Sequence, residues 1–255
     1  MVAISSCARQ LQVASNGPNP RIKVLHPPQK VTLTGDDGQR WKDQESVRFC
    51  FVGRDFARKG GIEMLRAFDA LNELNWHLTV ISSLSFQDYA TQYTRAEQEV
   101  LEKEVVDLLE RRKGHIEVHD SLPNNKVLEV MLNSHVGLLP TWHDTYGYSV
   151  LEFQASGCPV ISTDVRALPE INNNDCGWVL PVCKKHGAQI SPLETSSARR
   201  CFSEDLTKDL KEVVSEILNG SLDDVRSKSQ AAIQRIKSDH DPQAHKAALL
   251  QILNG

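Results

Sequence analysis

Short apolar runs alternate with helical segments through the middle of the chain, and this alternation constrains the fold more than any other feature. The first run is VRFCFVGR at 47–54 and the last is GWVLPV at 177–182. Continuous runs of this kind are typical of strands that are buried on both faces of a sheet. Between strands, 59–74 repeats an apolar residue every three positions, which indicates a helix with one buried face. The alternation predicts an α/β fold, a Rossmann-like parallel sheet with helices on both faces.

The remaining elements of this unit follow from the same patterns. Further strands are predicted at 76–83, 115–120, 135–141 and 158–163. Helices are predicted at 94–113, 123–133 and 147–156 and, after a surface insertion at 183–202, at 203–219, 221–237 and 242–253. The first 46 residues do not follow the alternation. They contain a short helix (6–14), a strand (21–28) and a polar loop, so we interpret them as an approach segment to the α/β unit that starts near 47.

Composition excludes several classes of partner. The net charge is −4, so no basic field would attract nucleic acid or an anionic membrane. The six cysteines form no CxxC pair, which is typical of reduced thiols in a cytoplasmic protein. The sequence has no secretion signal and no apolar run of the roughly 18 residues that a membrane span requires. No His, Cys or acidic residues have metal-ligand spacing, so no metal and no cofactor are expected.

The chemistry is expected directly after the strands, because ligands of open parallel sheets bind outside the carboxyl ends of the strands. Gly53, Arg54 and Lys59 follow the first strand and precede a helix. Two cations and the backbone donors of a helix N-terminus would hold a diphosphate there. The alternative is a pair of solvated surface charges.

Two acids, Asp144 and Glu152, follow the fourth strand and are separated by seven residues. Glu152 could accept hydrogen bonds from both hydroxyls of a ribose, or it could be a helix-start glutamate favoured by the helix dipole. Asp144 could accept from sugar hydroxyls, or it could be a turn or N-cap residue. Together the two acids suit a sugar nucleotide better than a metal or a nucleic acid.

Between the acids, Gly147 would let the backbone approach a ligand, although a single glycine in a loop is usually only a turn. The amides near Tyr148, Ser149 and Val150 would then face a phosphate. This segment is the second anion site that the sequence predicts.

These motifs resemble the C-terminal, donor-binding domain of the family-four retaining glycosyltransferases, the glycosyl transferases group 1. FVGRDFARKGG resembles the family's phosphate loop, and HDTYGYSVLEFQASGCPVISTDVRALPEI resembles its signature of two acids with seven residues between them. The resemblance runs from about residue 20 to 182 and continues weakly to the end. It implies the GT-B architecture, in which two Rossmann-like domains enclose the active site, and this chain carries one such domain.

The resemblance also implies a role for each matching position. Arg54 and Lys59 match the basic pair on the donor diphosphate, and Glu152 matches the acid that binds the ribose. Asp144 matches the acid that contacts the donor sugar, which is usually a glutamate. Catalysis would involve Asp144, Arg54 and Lys59. The donor-binding set would be Gly53, Arg54, Lys59, Leu122, Asp144, Gly147, Tyr148, Ser149, Val150 and Glu152, with Leu122 in the segment near the base.

The implied function is a retaining, metal-independent transfer of a hexosyl group from a nucleotide-diphospho-sugar to an unknown acceptor. Two alternatives remain open. One is a non-catalytic module that binds nucleotide sugars for assembly or regulation. The other is a GT-B relative that isomerises sugar nucleotides or phosphorolyses glycans.

The resemblance divides the chain into three parts. Residues 1–46 are expected to be a remnant of the N-terminal domain and a linker, 47–238 the nucleotide-sugar-binding domain, and 239–255 a C-terminal crossing helix. The missing N-terminal domain would belong to a longer chain, of which this is a fragment, or to a separate subunit. The isolated chain is therefore expected to be an incomplete enzyme. The apolar face of the crossing helix, Ala247, Leu250 and Leu253, is expected to be partly exposed.

Overall fold

The computed structural model describes residues 2–17, 22–32, 40–42, 46–86, 93–182 and 195–254. The strands in these ranges are β1 (Val2–Ala3), β2 (Lys23–Val24), β3 (Val47–Val52), β4 (Trp76–Ile81), β5 (Ile116–His119), β6 (Val136–Leu139), β7 (Val160–Thr163) and β8 (Gly177–Leu180). The helices are α1 (Ser6–Asn16), α2 (Gly61–Asp69), α3 (Arg95–Arg111), α4 (Asn124–Asn133), α5 (Tyr148–Ala155), α6 (Leu168–Ile171), α7 (Ser196–Asn219), α8 (Leu222–Asp239) and α9 (Pro242–Asn254).

Six strands form one parallel sheet in the order β5-β4-β3-β6-β7-β8. β3 is central: it pairs with β4 along its whole length and with β6 on its other side, where Phe49 is opposite Val136. The chain therefore builds one half of the sheet outward from β3 and then returns to build the other half from β6. The predicted Rossmann-like α/β fold is confirmed.

Alternate residues of β3 enter two separate cores, one on each face of the sheet. Phe49 and Phe51 are fully buried in the core that packs against α2, α3 and α7. Cys50 points to the opposite face, where α4, α5 and α8 cover the second core. This division follows from the two-residue period of a strand, and it explains why β3 is apolar throughout.

The structure corrects several predicted boundaries. The helix predicted at 59–74 spans only Gly61–Asp69, because residues 55–60 form turns and the end of the apolar repeat, Leu74, is exposed. α7 begins at Ser196 instead of 203, where the side chain of Thr195 accepts a hydrogen bond from the Ala198 amide. The rest of the predicted insertion, 183–194, lies outside the described residues.

The N-terminal segment forms a small βαβ unit of its own. β1 pairs in parallel with β2, so the strand predicted at 21–28 is confined to Lys23–Val24, and β1 was not predicted. Further along, Arg40 and Trp41 are buried against the main domain. The Arg40 guanidinium donates to the carbonyls of Gly157 and Leu132, which ties this segment to the ends of α5 and α4. The proposed boundary at residue 46 stays a prediction.

α9 packs loosely at the C-terminus. None of its residues is buried, and Leu250 and Leu253 are 49% and 71% exposed, as expected for an uncovered apolar face. Within the described parts of the chain, no helix combines the length and apolar character that crossing a membrane requires.

Candidate functional site

The candidate site lies where the order of the strands reverses, at the carboxyl ends of β3 and β6, which is the usual ligand position in open α/β sheets. Two loops meet there. The Trp142 amide and the Thr141 hydroxyl, after β6, both donate to the Arg58 carbonyl after β3, at 2.9 and 3.1 Å. The Thr163 hydroxyl, at the end of β7, donates to the Thr141 carbonyl at 2.8 Å. Three neighbouring loops are thus fixed to one another.

Gly60 makes the contact between the first two loops possible. Its φ is 78°, in the left-handed region, and a Cβ there would lie 1.9 Å from the carbonyl oxygen of Pro140. Only glycine permits both the backbone conformation and the close approach. Gly53 leaves room for the Lys59 side chain, since a Cβ at position 53 would lie 3.0 Å from Lys59 Cγ. These two glycines place the Lys59 side chain against the backbone of its own loop.

The structure brings Lys59 and Asp144 together. Lys59 Nζ forms an ion pair with Asp144 Oδ2, and the two side chains are only 15% and 12% exposed. The other carboxylate oxygen of Asp144 accepts from the Tyr146 amide at 3.3 Å. One cation and one acid from different predicted motifs therefore form a single unit at the centre of the sheet edge.

Arg54 lies in the same loop as Lys59, five residues before it. Its side chain is exposed, and its guanidinium makes no hydrogen bond or ion pair with the described residues. Its backbone carbonyl accepts from the Ser83 hydroxyl at 3.2 Å, which anchors the loop to the end of β4. The side chain is therefore free to meet an anion, while the backbone that carries it is held.

α5 begins directly after the acid loop. Gly147 precedes it with a φ of 92°, and a Cβ there would lie 2.4 Å from Leu168 Cδ2. The Val150 amide already donates to the Gly147 carbonyl at 2.9 Å, and the Val150 side chain is buried in the second core. In the described chain the amides of Tyr148 and Ser149 make no comparable bond. They are the donors that this helix end presents.

Glu152 lies one turn into α5 and is half-buried. Burial raises the pKa of its carboxyl group, and within the described chain no side chain or backbone donor reaches it. Burying a carboxylate without a donor is costly, and a ligand hydroxyl would supply what the protein does not. Glu152 is therefore placed to accept hydrogen bonds from a bound ligand.

Leu122 is not brought to the Lys59–Asp144 pair. It follows β5, which is separated from β3 by β4, so its loop begins roughly 10 Å away by strand spacing. The side chain is partly buried against the second core. Any contact of this segment with a ligand would be at the far end of an elongated molecule.

His143, between Trp142 and Asp144, is held neutral. Burial lowers its pKa to about 4, and the positive charges of Arg166 and Arg58 act in the same direction. An imidazole with this pKa is uncharged at pH 7. It can therefore serve as a neutral hydrogen-bonding group beside the Lys59–Asp144 pair.

Sequence patterns missed Glu63, a fully buried acid in α2 that supports the acid loop. Its Oε1 accepts from the Ser203 hydroxyl of α7 at 2.5 Å. Its Oε2 and Trp142 Nε1 are both buried without a hydrogen bond of normal geometry. Burial raises the Glu63 pKa, and Ser203 and the Trp142 indole oppose the rise. The nearest sequence signal was an acid inside an otherwise apolar helix, two residues after Gly61.

No group of three or more His, Cys, Asp or Glu in the described ranges is arranged to hold a metal ion.

Comparisons with known proteins agree with this geometry. The family model described as glycosyl transferases group 1 matches residues 36–194, more than half of the chain. No curated protein sequence matches the chain.

Three solved structures illustrate the similarity of fold. Sucrose-phosphate synthase from Thermosynechococcus elongatus is 14% identical with a TM-score of 0.68, covering 99% of this chain and 57% of its own. A glycosyltransferase from Rickettsia africae is 15% identical with a TM-score of 0.67, covering 98% and 62%. HepE from Anabaena, solved with UDP and glucose, is 10% identical with a TM-score of 0.70, covering 100% and 62%.

The chain thus spans about 57–62% of the length of these three structures. At such identities the likeness establishes the fold, one Rossmann-like half of a GT-B architecture, while the family model establishes descent. The chain belongs to the glycosyl transferases group 1 family.

Proposed function

We propose that this chain is the donor-binding half of a retaining glycosyltransferase that moves a hexosyl group from a nucleotide-diphospho-sugar to an acceptor. The observation that carries the proposal is the arrangement at the switch point of the sheet. A cation–acid pair, Lys59 and Asp144, precedes α5, and one turn into α5 lies Glu152, a half-buried carboxylate with no donor among the described residues.

The diphosphate would lie between the loop after β3 and the start of α5. Arg54 is exposed and has no side-chain partner in the described ranges, and the amides of Tyr148 and Ser149 lie at a helix N-terminus, where anions are favoured. Lys59 would complete the site by exchanging Asp144 for a phosphate oxygen. These cations and dipoles would stabilise the charge that develops on the departing diphosphate.

Asp144 would then be released toward the donor sugar. Its carboxylate is held by Lys59 and by the Tyr146 amide, so loss of the lysine bond leaves one oxygen able to accept from sugar hydroxyls. Glu152 would accept both ribose hydroxyls. We infer that the leaving phosphate assists the incoming acceptor, which retains the configuration at the transferred carbon without a metal.

The cysteines in the described ranges are unpaired, which supports a cytoplasmic location.

The acceptor side would require a second domain. The chain spans only part of the structures it resembles, and α9 carries an uncovered apolar face on which such a domain could pack. We propose that an N-terminal GT-B domain, in the same longer chain or in a separate subunit, completes the enzyme. If a protein completed in this way binds nucleotide sugars but transfers nothing, the non-catalytic module becomes the better interpretation.

Calorimetry with a panel of UDP-, GDP- and ADP-sugars tests donor binding. Glu152→Ala should weaken the binding of the preferred donor by about 1–3 kcal/mol, roughly 5- to 150-fold, because the ribose hydroxyls lose their acceptor. Glu129→Ala is the matched control, since Glu129 is an exposed helical acid whose carboxylate, among the described residues, pairs with Lys126 at 2.7 Å. Equal affinities for the two variants would remove the assignment of Glu152.

The same titrations separate the phosphate contacts. Arg54→Ala and Lys59→Ala should weaken nucleoside diphosphates more than the bare nucleoside. In addition, Asp144→Asn should raise diphosphate affinity in the absence of sugar, because Lys59 no longer has a competing carboxylate. If Lys59→Ala weakens nucleoside and diphosphate equally, the exchange of partners at Lys59 is wrong.

A further inference from the structure

Arg166 lies in the loop after β7, next to the acid loop, and its backbone is unusual. Its φ is 48°, in the left-handed region that non-glycine residues rarely adopt. Its neighbours Val165 and Ala167 are both buried, so the turn is fixed on either side. A glycine would adopt this conformation without strain. The structure therefore keeps an arginine where the backbone alone would favour glycine, and such outliers concentrate at functional positions.

The side chain of Arg166 has no partner in the described chain. Its Nε is buried without a hydrogen-bond acceptor, and its guanidinium forms no ion pair. Three other arginines, Arg58, Arg199 and Arg235, also bury an Nε that has no acceptor. Each of them, however, donates from another guanidinium nitrogen to a described residue. Buried polar groups of proteins are nearly always hydrogen-bonded. Arg166 differs from these three arginines because none of its guanidinium nitrogens has a partner among the described residues.

Among the described residues, no acid forms an ion pair with Arg166. Burial raises the pKa of the Cys7 thiol and lowers the pKa of His143. The positive charge of Arg166 lowers both pKa values, so Arg166 lies near Cys7 of α1 and near His143 of the acid loop. His143 is neutral at pH 7. One acid of this region, Glu170, accepts hydrogen bonds from the Ser6 and Cys7 amides, at 2.7 and 2.9 Å.

This positive site is separate from the proposed diphosphate site. Arg54 and Lys59 come from the loop after β3, whereas Arg166 follows β7, on the other side of β6. Two strand positions correspond to roughly 10 Å along the sheet edge. By this spacing, an anion at Arg166 would lie on the side of Asp144 away from the Arg54 loop.

We propose that Arg166 binds an anionic group, a phosphate or a carboxylate, on the acceptor, and so selects acceptors that carry a negative charge. A guanidinium is suited to this because its planar fork matches both groups. The inference rests on the proposed donor site, since it assigns the second substrate of the same reaction.

Side-chain NMR of the arginine Nε–Hε groups tests the proposal directly. The chain is first saturated with the nucleoside diphosphate that binds it (UDP, GDP or ADP), then titrated with inorganic phosphate, glucose 6-phosphate and glucose. We expect both phosphates to shift the Arg166 signal and glucose to leave it unchanged. Arg166→Asn should weaken phosphate binding at least tenfold, and Arg166→Lys should retain part of it. Asn tolerates the left-handed region, so the neutral variant should fold. Arg200→Gln, on the exposed surface of α7, is the control.

The outcomes separate the possible sources of the anion. If Arg166→Asn binds phosphate as tightly as the wild type, the proposal is wrong. If Arg166 instead distinguishes UDP-glucuronate from UDP-glucose and ignores glucose 6-phosphate, the anion belongs to the donor and the acceptor assignment falls. If no nucleoside diphosphate binds but phosphate binding still depends on Arg166, the anion site stands and the proposed function fails.

Discussion

The two sides of the sheet differ in how firmly they hold their loops. Every residue of β6 and β7 is buried, and the loops that follow them are joined by hydrogen bonds to each other and to the loop after β3. No residue of β5 is buried, and Ser121 and Pro123 after it are exposed. The chemistry that we propose lies on the buried side, whereas the exposed side carries only the segment assigned to the base. Side chains that must be fixed to within a fraction of an ångström are thus placed where burial fixes the backbone.

Replacing glycines on the two sides should give the largest contrast. Gly60→Ala should lower the free energy of unfolding by about 3 kcal/mol or more, since it combines left-handed strain with a displaced backbone. Its new Cβ would start 1.9 Å from the Pro140 carbonyl oxygen. Gly114→Ala, just before β5, adopts a φ of +100° but meets nothing within 4 Å. It should cost only about 1–2 kcal/mol. Urea unfolding of both variants measures the difference.

The same pair tests whether the contact of the loops matters for binding. Gly60→Ala should also weaken nucleoside diphosphate binding under conditions where the variant is still folded, because Lys59 directly precedes the backbone that the new Cβ would displace. Gly114→Ala should bind normally. Equal losses of stability in the two variants would show that the loops after β3 and β6 separate easily. The buried side of the sheet would then hold its loops no more firmly than the exposed side.

Glu63 is buried in α2 beneath the acid loop, and it should make the free energy of unfolding depend on pH. Burial raises its folded pKa above the unfolded value, so the folded state binds the proton more tightly. The stability that this group contributes is fully present below its unfolded pKa, near 4.3, and is lost as pH rises through the raised folded pKa. Above that value the loss is complete and the dependence ends.

Glu63→Gln should therefore flatten the dependence of unfolding free energy on pH from about 4.3 upward. Chemical denaturation at a series of pH values gives the slopes. Burial also raises the pKa of Glu152, so Glu152→Gln is the matched control. It should remove only the contribution of Glu152 to the dependence of the unfolding free energy on pH. Because Glu63 contacts Ser203 and lies beside Trp142, only its variant should also alter Trp142 fluorescence. Parallel curves for Glu63→Gln and wild type would refute the assignment.

The sequence predicted the sheet well because buried strands need little more than continuous apolar residues. All six strands of the sheet were expected, in the right order along the chain, and Asp144 and Lys59 were both placed after the correct strands. The pairing of these two was not predicted, because their closeness depends on which strand lies beside β3. The segment 163–170 after β7 was a predicted ligand segment, but Arg166 was not singled out within it, and Glu63 was missed, for a related reason. Nothing in the local pattern shows that α7 buries one side of α2, or that the turn after β7 is left-handed.

The smallest effect is expected at Leu122, on the exposed side. Its side chain is only partly buried, so Leu122→Ala should cost well below the 2–5 kcal/mol of a fully buried leucine, about 1 kcal/mol or less. Any base contact in this segment would use the backbone, which the substitution preserves, so donor affinity should change less than about twofold, within 0.4 kcal/mol. Calorimetry measures donor binding by Leu122→Ala, and the loss of affinity in Glu152→Ala is the reference. A loss as large as that of Glu152→Ala would mean that the Leu122 side chain itself packs on the base. In that case the exposed side of the sheet would contribute to donor specificity as strongly as the buried side.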